Sequence, residues 1–194
     1  SGAFRPEPVT SLGDFESAFH RAAFKVDETY TTPDQSHAMM EPHATLAYWE
    51  NDLLHCWTGV QQLNWGVRDL VHTVVLPKES GRMRAPARGG SFGVKGTVMS
   101  DTVLAALAAQ KTGLAVKVTL QRPLVANNTA HRPATIQRVQ LGANPDGKLI
   151  AIGHKSVSGN FPGGRPEAAV LSTRYLYHAD NRLTELKLAE LNLP

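Results

Sequence analysis

Residues 89–96, with the sequence Gly-Gly-Ser-Phe-Gly-Val-Lys-Gly, combine a flexible backbone with one positive charge. Glycines let backbone N–H groups approach a bound anion, and the residues after this segment predict a helix. A loop that binds nucleoside triphosphates would have serine or threonine after Lys95, where this chain has Gly96, and the glycine spacing also differs from the dinucleotide-binding fingerprint. The segment is therefore either an anion-binding loop of another class or a tight surface turn.

Three side chains that could bind a metal, His37, Glu41 and His43, lie within seven residues. Their spacing fits one helix face poorly, and no second group of comparable density lies nearby. Histidine can bind a metal, but it serves equally well in hydrogen bonding and packing. The poor spacing favours hydrogen bonding and packing for these three residues, and we predict no metal site built from protein ligands.

Possible nucleophiles are Cys56, Ser91 and Ser158, but none lies in a G-x-S-x-G turn or in the context of a cysteine protease. Hydrolase chemistry is therefore not predicted. Cys56 is the only cysteine, which excludes a disulfide, an all-cysteine zinc site and a cysteine-ligated iron–sulfur cluster within this chain. Any redox centre must be supplied from outside these residues.

The charge balance does not indicate a nucleic-acid partner, since 20 Lys and Arg residues oppose 17 Asp and Glu residues. Arg82, Arg84 and Arg88 precede the glycine segment and could either hold a phosphate or form a solvated basic face. No apolar run approaches the roughly 20 residues that cross a bilayer, so we expect a soluble protein without membrane insertion. The compartment, cytoplasm or periplasm, stays open.

Hydrophobic periodicity predicts an α+β (mixed α/β) fold of antiparallel hairpins and a mixed sheet packed with about four helices. We expect one domain over residues 1–194, with a division near residue 114 as the alternative. Helices are predicted over 14–24, 62–76, 97–111 and 167–177, and strands over 25–30, 44–49, 53–57, 115–120, 132–141, 149–158 and 183–193.

A series of short motifs resembles one family when the motifs are taken in chain order. They are Tyr-Thr-Thr-Pro (30–33), His-Ala-Met-Met-Glu-Pro-His-Ala (37–44), Trp-Thr-Gly-Val-Gln (57–61), the glycine segment (89–95), Lys-Thr-Gly-Leu-Ala-Val-Lys-Val (111–118), Asn-Asn-Thr-Ala-His-Arg-Pro-Ala (127–134) and Ser-Gly-Asn-Phe-Pro-Gly-Gly (158–164). Together they resemble the molybdenum-binding subunit of the xanthine dehydrogenase and aldehyde oxidase family, most closely its bacterial periplasmic aldehyde oxidoreductase branch.

This resemblance implies a molybdenum–molybdopterin cofactor, in bacteria commonly the cytosine dinucleotide form, with no metal ligand from the protein. It also implies oxidation of a small aldehyde to a carboxylic acid with water as the oxygen source. The expected partners are the remaining part of the molybdenum subunit and an iron–sulfur subunit, with an FAD or cytochrome subunit as a further partner. In that family the cofactor supplies the redox chemistry, and the protein binds and orients it.

Carried over by position, Gln61 is expected to hydrogen-bond an oxygen ligand of the metal, as both a catalytic and a cofactor-binding residue. Residues 89–93 (Gly89, Gly90, Ser91, Phe92 and Gly93) are expected to form the loop that approaches the cofactor, with Phe92 lining the substrate funnel. Arg174 lies where many members have an arginine that orients substrate or stabilises negative charge, and an ordinary helix-surface role is its alternative.

The chain departs from the family pattern in two places. Ser91 replaces a glycine of the loop, which follows a basic segment instead of an apolar strand, and Gly96 stands where purine-oxidising members have glutamate. The second departure favours aldehydes over purines as substrates.

The family subunit is several times longer than this chain, so we expect this chain to be its first cofactor-facing portion and inactive alone. The alternative is a non-catalytic interaction or assembly domain that keeps the fold.

Overall fold

The computed structural model describes residues 6–192, which form five α-helices and eleven β-strands. The helices are α1 (Phe15–Arg21), α2 (Leu63–Thr73), α3 (Ser100–Thr112), α4 (Arg122–Asn127) and α5 (Leu171–Leu176). The strands are β1 (Val9–Leu12), β2 (Phe24–Thr32), β3 (Gln35–Ser36), β4 (Ala44–Glu50), β5 (Leu53–Thr58), β6 (Gly81–Arg84), β7 (Val116–Thr119), β8 (His131–Arg132), β9 (Thr135–Ala143), β10 (Leu149–Asn160) and β11 (Asn181–Glu190). This mixture of helices, hairpins and mixed sheets confirms the predicted fold class.

The chain divides into two compact units with different boundaries from those that the sequence suggested. Among the described residues, the first unit contains 6–35 and 132–192, and the second contains 36–131. Residue 114, the predicted point of division, lies inside the second unit between α3 and β7. The reason is long-range strand pairing, because β1 and β2 pair with β11 and β9 from the other end of the chain.

The first unit is built on a five-stranded sheet in the order β1-β11-β10-β9-β2. All neighbours are antiparallel except β10 and β11, which run parallel. Helix α1 begins after Asp14, whose carboxylate accepts the N–H of Ser17, and it buries Phe15 and Ala18 against the sheet. The ring of Phe15 packs where Gly153 of β10 has no side chain.

The second unit is built on a four-stranded sheet in the order β6-β5-β4-β7. Helix α3 packs on this sheet through alanines that allow close approach, and Leu54 and Cys56 complete the same buried cluster. The helix ends at Gly113, which adopts the left-handed conformation that favours glycine at this position. This unit carries the glycine segment, Gln61 and all three of the His37–His43 candidates.

Most predicted elements are present, with shifted ends. The predicted helix over 167–177 is reduced to α5, and the predicted strand over 115–120 is the half-exposed edge strand β7. The sequence analysis missed α4, β1, β3, β6 and β8, each of which is six residues or shorter. Within residues 6–192, no helix is long and apolar enough to cross a membrane.

Candidate cofactor site

The glycine segment forms an irregular loop between β6 and α3. Gly90 and Gly93 have φ angles of 95° and 108°, and Phe92 between them has a φ of 52°. A left-handed backbone is costly for a bulky aromatic residue, and such strain is concentrated at functional sites. Phe92 is also 72% exposed, so burial of its ring does not compensate for this conformation.

Four consecutive backbone donors in this loop are free. Within residues 6–192, the N–H groups of Gly90, Ser91, Phe92 and Gly93 donate to no other group. Successive N–H groups in a turn that includes residues of positive φ can form a concave surface that attracts anions and oxygen ligands. The loop can therefore bind an oxygen-rich group without using a charged side chain.

An ion pair anchors the start of the loop. Glu41 Oε2 accepts hydrogen bonds from Lys95 Nζ at 2.6 Å and from the N–H of Gly89 at 3.0 Å. Burial acts to raise the pKa of Glu41, but the hydrogen bonds from Lys95 and Gly89 outweigh it and lower the pKa below its usual value. A Cβ at Gly89 would lie 2.7 Å from the Cβ of Glu41, so this close approach requires glycine.

Gln61 follows β5 and has a fixed backbone with a free side chain. Its N–H donates to the carbonyl oxygen of Lys95 at 2.7 Å. The side-chain amide is exposed and has no hydrogen-bond partner among residues 6–192. An uncharged amide held by its backbone in this way can hydrogen-bond an incoming oxygen atom.

Gln61 and the end of the loop border the same hollow, which has a volume of about 490 Å³. Trp65 contributes an exposed aromatic wall, and Asp69 is fixed by the hydroxyl of Thr97 at 2.5 Å. The residues that line the hollow are Gln61, Gln62, Trp65, Asp69, Gly93, Val94, Gly96, Thr97, Met99 and Ala130. Its volume is in the range of small-molecule and cofactor sites.

The structure brings some of the predicted site residues together and leaves others apart. Gln61 and Gly93 share the hollow, whereas Gly89, Gly90, Ser91 and Phe92 precede its lining along the loop. The N–H of Gly89 is already bound to Glu41, so it is not free for a ligand. The roles of these residues toward a cofactor stay predictions.

Arg174 lies in the first unit, where its side chain makes internal hydrogen bonds. Its Nε donates to the hydroxyl of Thr184 at 2.7 Å, and an Nη donates to the carbonyl of Glu7 at 2.8 Å. The carbonyl of Arg174 in turn accepts from Arg182 at 2.8 Å. These contacts fit the structural alternative, and a substrate-orienting role stays a prediction.

The three candidate metal ligands have separate environments. His37 Nδ1 lies 3.1 Å from the carbonyl oxygen of Ala130, while Glu41 is engaged by Lys95. His43 is 5% exposed, and neither of its ring nitrogens has a hydrogen-bond partner in the described residues. No group of three potential metal ligands occurs within residues 6–192.

The arginines before the loop are all engaged with neighbouring groups. Arg82 donates to the carbonyls of Glu79 and Gly81, and Arg88 donates to that of Val60 at 2.8 Å. The guanidinium of Arg84 lies 5.0 Å from the ring centre of Trp57. These contacts favour a structural role over a phosphate-binding one.

The buried environment of Cys56 makes its thiol unreactive. It is 1% exposed, and burial raises its pKa to about 12, so the nucleophilic thiolate is strongly disfavoured.

Sequence reasoning missed Trp65, Asp69 and Thr97 in the lining and the pairing of Glu41 with Lys95. The two partners of that ion pair are 54 residues apart, so no local spacing reveals it. One signal was available, because Lys95 is a lone charge next to a glycine-rich segment that precedes a helix. A charge at such a position requires a partner when the segment is buried.

Known proteins resemble this chain in sequence and in fold. The family described as "Molybdopterin cofactor-binding domain" matches residues 4–194. The aldehyde oxidoreductase molybdenum-binding subunit PaoC of Escherichia coli K12 is 51% identical over 187 residues, which cover 96% of this chain and 26% of that protein. The chain thus spans about a quarter of the length of this relative.

Solved structures share the fold at low sequence identity. Quinoline 2-oxidoreductase from Pseudomonas putida 86 superposes with a TM-score of 0.80 at 21% identity, over 92% of this chain and 25% of that one. Aldehyde oxidoreductase from Desulfovibrio gigas superposes with a TM-score of 0.79 at 21% identity, over 93% and 21%. The resemblance found in the sequence motifs is confirmed, and the chain belongs to the molybdopterin cofactor-binding domain family.

Proposed function

We propose that the hollow bordered by Gln61 and Gly93 receives the molybdopterin cofactor, and that the protein containing this chain oxidises aldehydes to carboxylic acids. The observation that carries the proposal is the free amide of Gln61 on the wall of a hollow that is also lined by Gly93, the last of four consecutive residues whose N–H groups are unpaired. The 51% identity to a subunit named as an aldehyde oxidoreductase supports the choice of reaction.

The residues present fit such a group. The cofactor is rich in oxygen atoms and carries phosphate, and the site offers neutral donors: the N–H groups of residues 90–93 and the amide of Gln61. Neutral donors orient oxygen ligands without adding charge near a metal. The exposed face of Trp65 gives the hollow an apolar wall, as small-molecule sites usually have.

The chemistry itself comes from the cofactor, which supplies a redox centre at which an aldehyde gains one oxygen atom from water and releases two electrons and two protons. This chain contributes binding and orientation. Gln61 would hydrogen-bond an oxygen atom of the bound group, and the N–H groups of residues 90–93 would hold that group at the loop. Gly96 adds no side chain that could hydrogen-bond a nitrogen heterocycle, which favours aldehydes as substrates.

The electrons must leave through other centres, since Cys56 is the only cysteine and is buried. We place iron–sulfur clusters and FAD on partner subunits, and we assign the cofactor its cytosine dinucleotide form. The rest of the molybdenum subunit is the immediate partner, because the chain spans 26% of its relative. The isolated chain is therefore expected to give no turnover.

The test uses the complete subunit with its partners, purified from cells grown with molybdate. We expect about one molybdenum per subunit and oxidation of small aliphatic or aromatic aldehydes with an artificial electron acceptor, and we expect no activity after growth with tungstate. A complex that is loaded with molybdenum and oxidises no aldehyde would contradict the proposal. It would favour the alternative of a non-catalytic assembly domain.

A further inference from the structure

Lys95 is a charged side chain that the proposed reaction does not use, and only 2% of it is exposed. A buried ammonium group is costly unless it is paired and hydrogen-bonded. Its partner is Glu41, whose Oε2 lies 2.6 Å from Lys95 Nζ. Neither residue lines the hollow, so this pair acts on the site through other groups.

Glu41 holds the first glycine of the loop at two points. Its Oε2 accepts the N–H of Gly89 at 3.0 Å, and its own N–H donates to the carbonyl of Gly89 at 3.1 Å. Lys95 thus fixes, through the carboxylate of Glu41, the position at which the loop begins.

Lys95 also holds Gln61 through a different group. The carbonyl oxygen of Lys95 accepts the N–H of Gln61 at 2.7 Å. One residue is therefore linked by its side chain to the start of the loop and by its backbone to the residue that presents the free amide. A shift of Lys95 changes the distance between these two sets of donors.

The sequence leaves space for this ion pair. A Cβ at Gly59 would lie 3.1 Å from Glu41 Oε2 and 3.2 Å from Lys95 Nζ. Gly59 is two residues before Gln61, so a side chain there would press on the pair and on the turn that carries the amide.

We propose, on the basis of the function proposed above, that Lys95 and Glu41 are a positioning pair that sets the loop donors against the Gln61 amide. Without the pair, the loop and Gln61 can each keep their local structure, but their positions relative to each other are no longer fixed. The defect should then appear in the rate per bound cofactor as well as in the amount of cofactor bound. An ion pair that only stabilised the fold would leave the rate per bound cofactor unchanged.

The test compares four variants of the complete enzyme with its partner subunits. Lys95→Met and Glu41→Gln break the pair. Leu54→Ala destabilises the core of the same unit, in a cluster that contains neither residue. Lys187→Met removes a lysine from the exposed ion pair with Glu185 in the other unit. Molybdenum content, kcat per molybdenum, KM and the electron paramagnetic resonance spectrum of the reduced metal are measured for each.

For Lys95→Met and Glu41→Gln we expect kcat per molybdenum to fall by about 10- to 100-fold, as for other residues that orient a metal site indirectly. KM should change by less than about twofold, because the pair does not touch the hollow, and the resonance spectrum should differ from that of the wild type. Leu54→Ala and Lys187→Met should keep the wild-type rate per molybdenum and spectrum. If Lys95→Met does not fold, Glu41→Gln alone decides, because it removes the negative charge of the pair without changing the size of the side chain.

Wild-type kcat per molybdenum and spectrum in the pair variants would overturn the proposal, as would an equal loss in Leu54→Ala. Failure of the proposed function is recognised separately, by a wild-type complex that contains no molybdenum or that contains molybdenum and oxidises no aldehyde. In that case hydrogen exchange of the Gly89 and Gln61 amides still decides the positioning role. Both amides should exchange at least about tenfold faster in Lys95→Met if the pair holds them, and unchanged exchange would refute it.

Discussion

Gly93 lines the hollow and has a backbone conformation that is unfavourable for a β-branched residue. Its φ is 108°, and an added Cβ would lie 3.3 Å from His37 Nε2. Gly93→Val should therefore distort the loop and lower the molybdenum content of the complete subunit to about a tenth, within the range seen when groups that support a metal site are lost. Metal analysis of purified protein checks this.

Gly147→Val is the matched control. Gly147 also has a positive φ, 83°, but it lies in the turn between β9 and β10 with no atom within 4 Å of an added Cβ. The control should lose stability without losing molybdenum per folded subunit. Equal loss of metal in both variants would show that backbone strain alone, and not the hollow, causes the effect.

The side chain of Gln61 is free, whereas its backbone is bound to Lys95. Gln61→Ala keeps the backbone contact and removes only the amide, so molybdenum content should stay near that of the wild type while kcat falls by about 10- to 100-fold. Gln121→Ala, a change outside the hollow, is the control. If Gln61→Ala loses cofactor as fully as Gly93→Val, the two residues are misassigned.

Among the helices and strands, the packing of α1 on the five-stranded sheet depends on a glycine, Gly153, which has no side chain. A Cβ at Gly153 of β10 would lie 2.5 Å from Phe15 Cζ and 3.2 Å from the Cβ of Gln140. We expect Gly153→Ala to lower the free energy of unfolding by about 1–3 kcal/mol, because the ring must move out of a filled space. Chemical denaturation checks this, with Gly96→Ala as the control because its new methyl group meets no atom within 4 Å. Equal stability of the two variants would contradict the packing argument.

Elements with strong local signals could be predicted from sequence. The antiparallel pairs β4–β5 and β9–β10 lie close to the strands predicted over 44–57 and 132–158, and α3 ends one residue after the helix predicted over 97–111. Helix α4 was missed although Pro123 near its start is a common signal for a helix beginning. Six residues are too few to show a hydrophobic period, so length explains this omission.

Long-range pairing explains most of what the sequence could not show. Strand β11 pairs with β1 across 170 to 176 residues, and these pairings decide which segments form each unit. The same holds for the site: Gln61 and the loop were predicted by motif, whereas the contact between Glu41 and Lys95 exists only once β4, β5 and the loop are folded together.

At the scale of the whole molecule, each unit buries one histidine whose pKa is lowered by burial. His43 is 5% exposed, and Lys95 adds to the lowering while Asp101 and Glu41 oppose it. His154 is 7% exposed, with Nδ1 2.7 Å from the hydroxyl of Thr173. Both histidines therefore have a lower pKa in the folded chain than in the unfolded chain, so they gain protons more readily when the chain unfolds.

The unfolded chain binds more protons than the folded chain below the ordinary histidine pKa of about 6.5. Stability from these groups is thus present above that pH and is lost as pH falls through the lowered values of the folded state. We expect the free energy of unfolding to decrease between pH 7 and pH 5, with a slope of at most about 1.4 kcal/mol per pH unit for each histidine. Denaturation across this range checks the sign, and His154→Gln should reduce the slope. A free energy of unfolding that does not change over this range, or that increases toward acid pH, would contradict the lowered pKa of the two buried histidines.

The central claim is that the hollow beside Gln61 and Gly93 is where the metal of the complete protein resides. Anomalous diffraction at the molybdenum absorption edge, from crystals of the complete subunit with its cofactor, locates the metal directly. We predict one anomalous peak at the hollow, on the side of the Gln61 amide and the N–H groups of residues 90–93. A peak elsewhere in the protein, with that hollow filled by solvent, would contradict it.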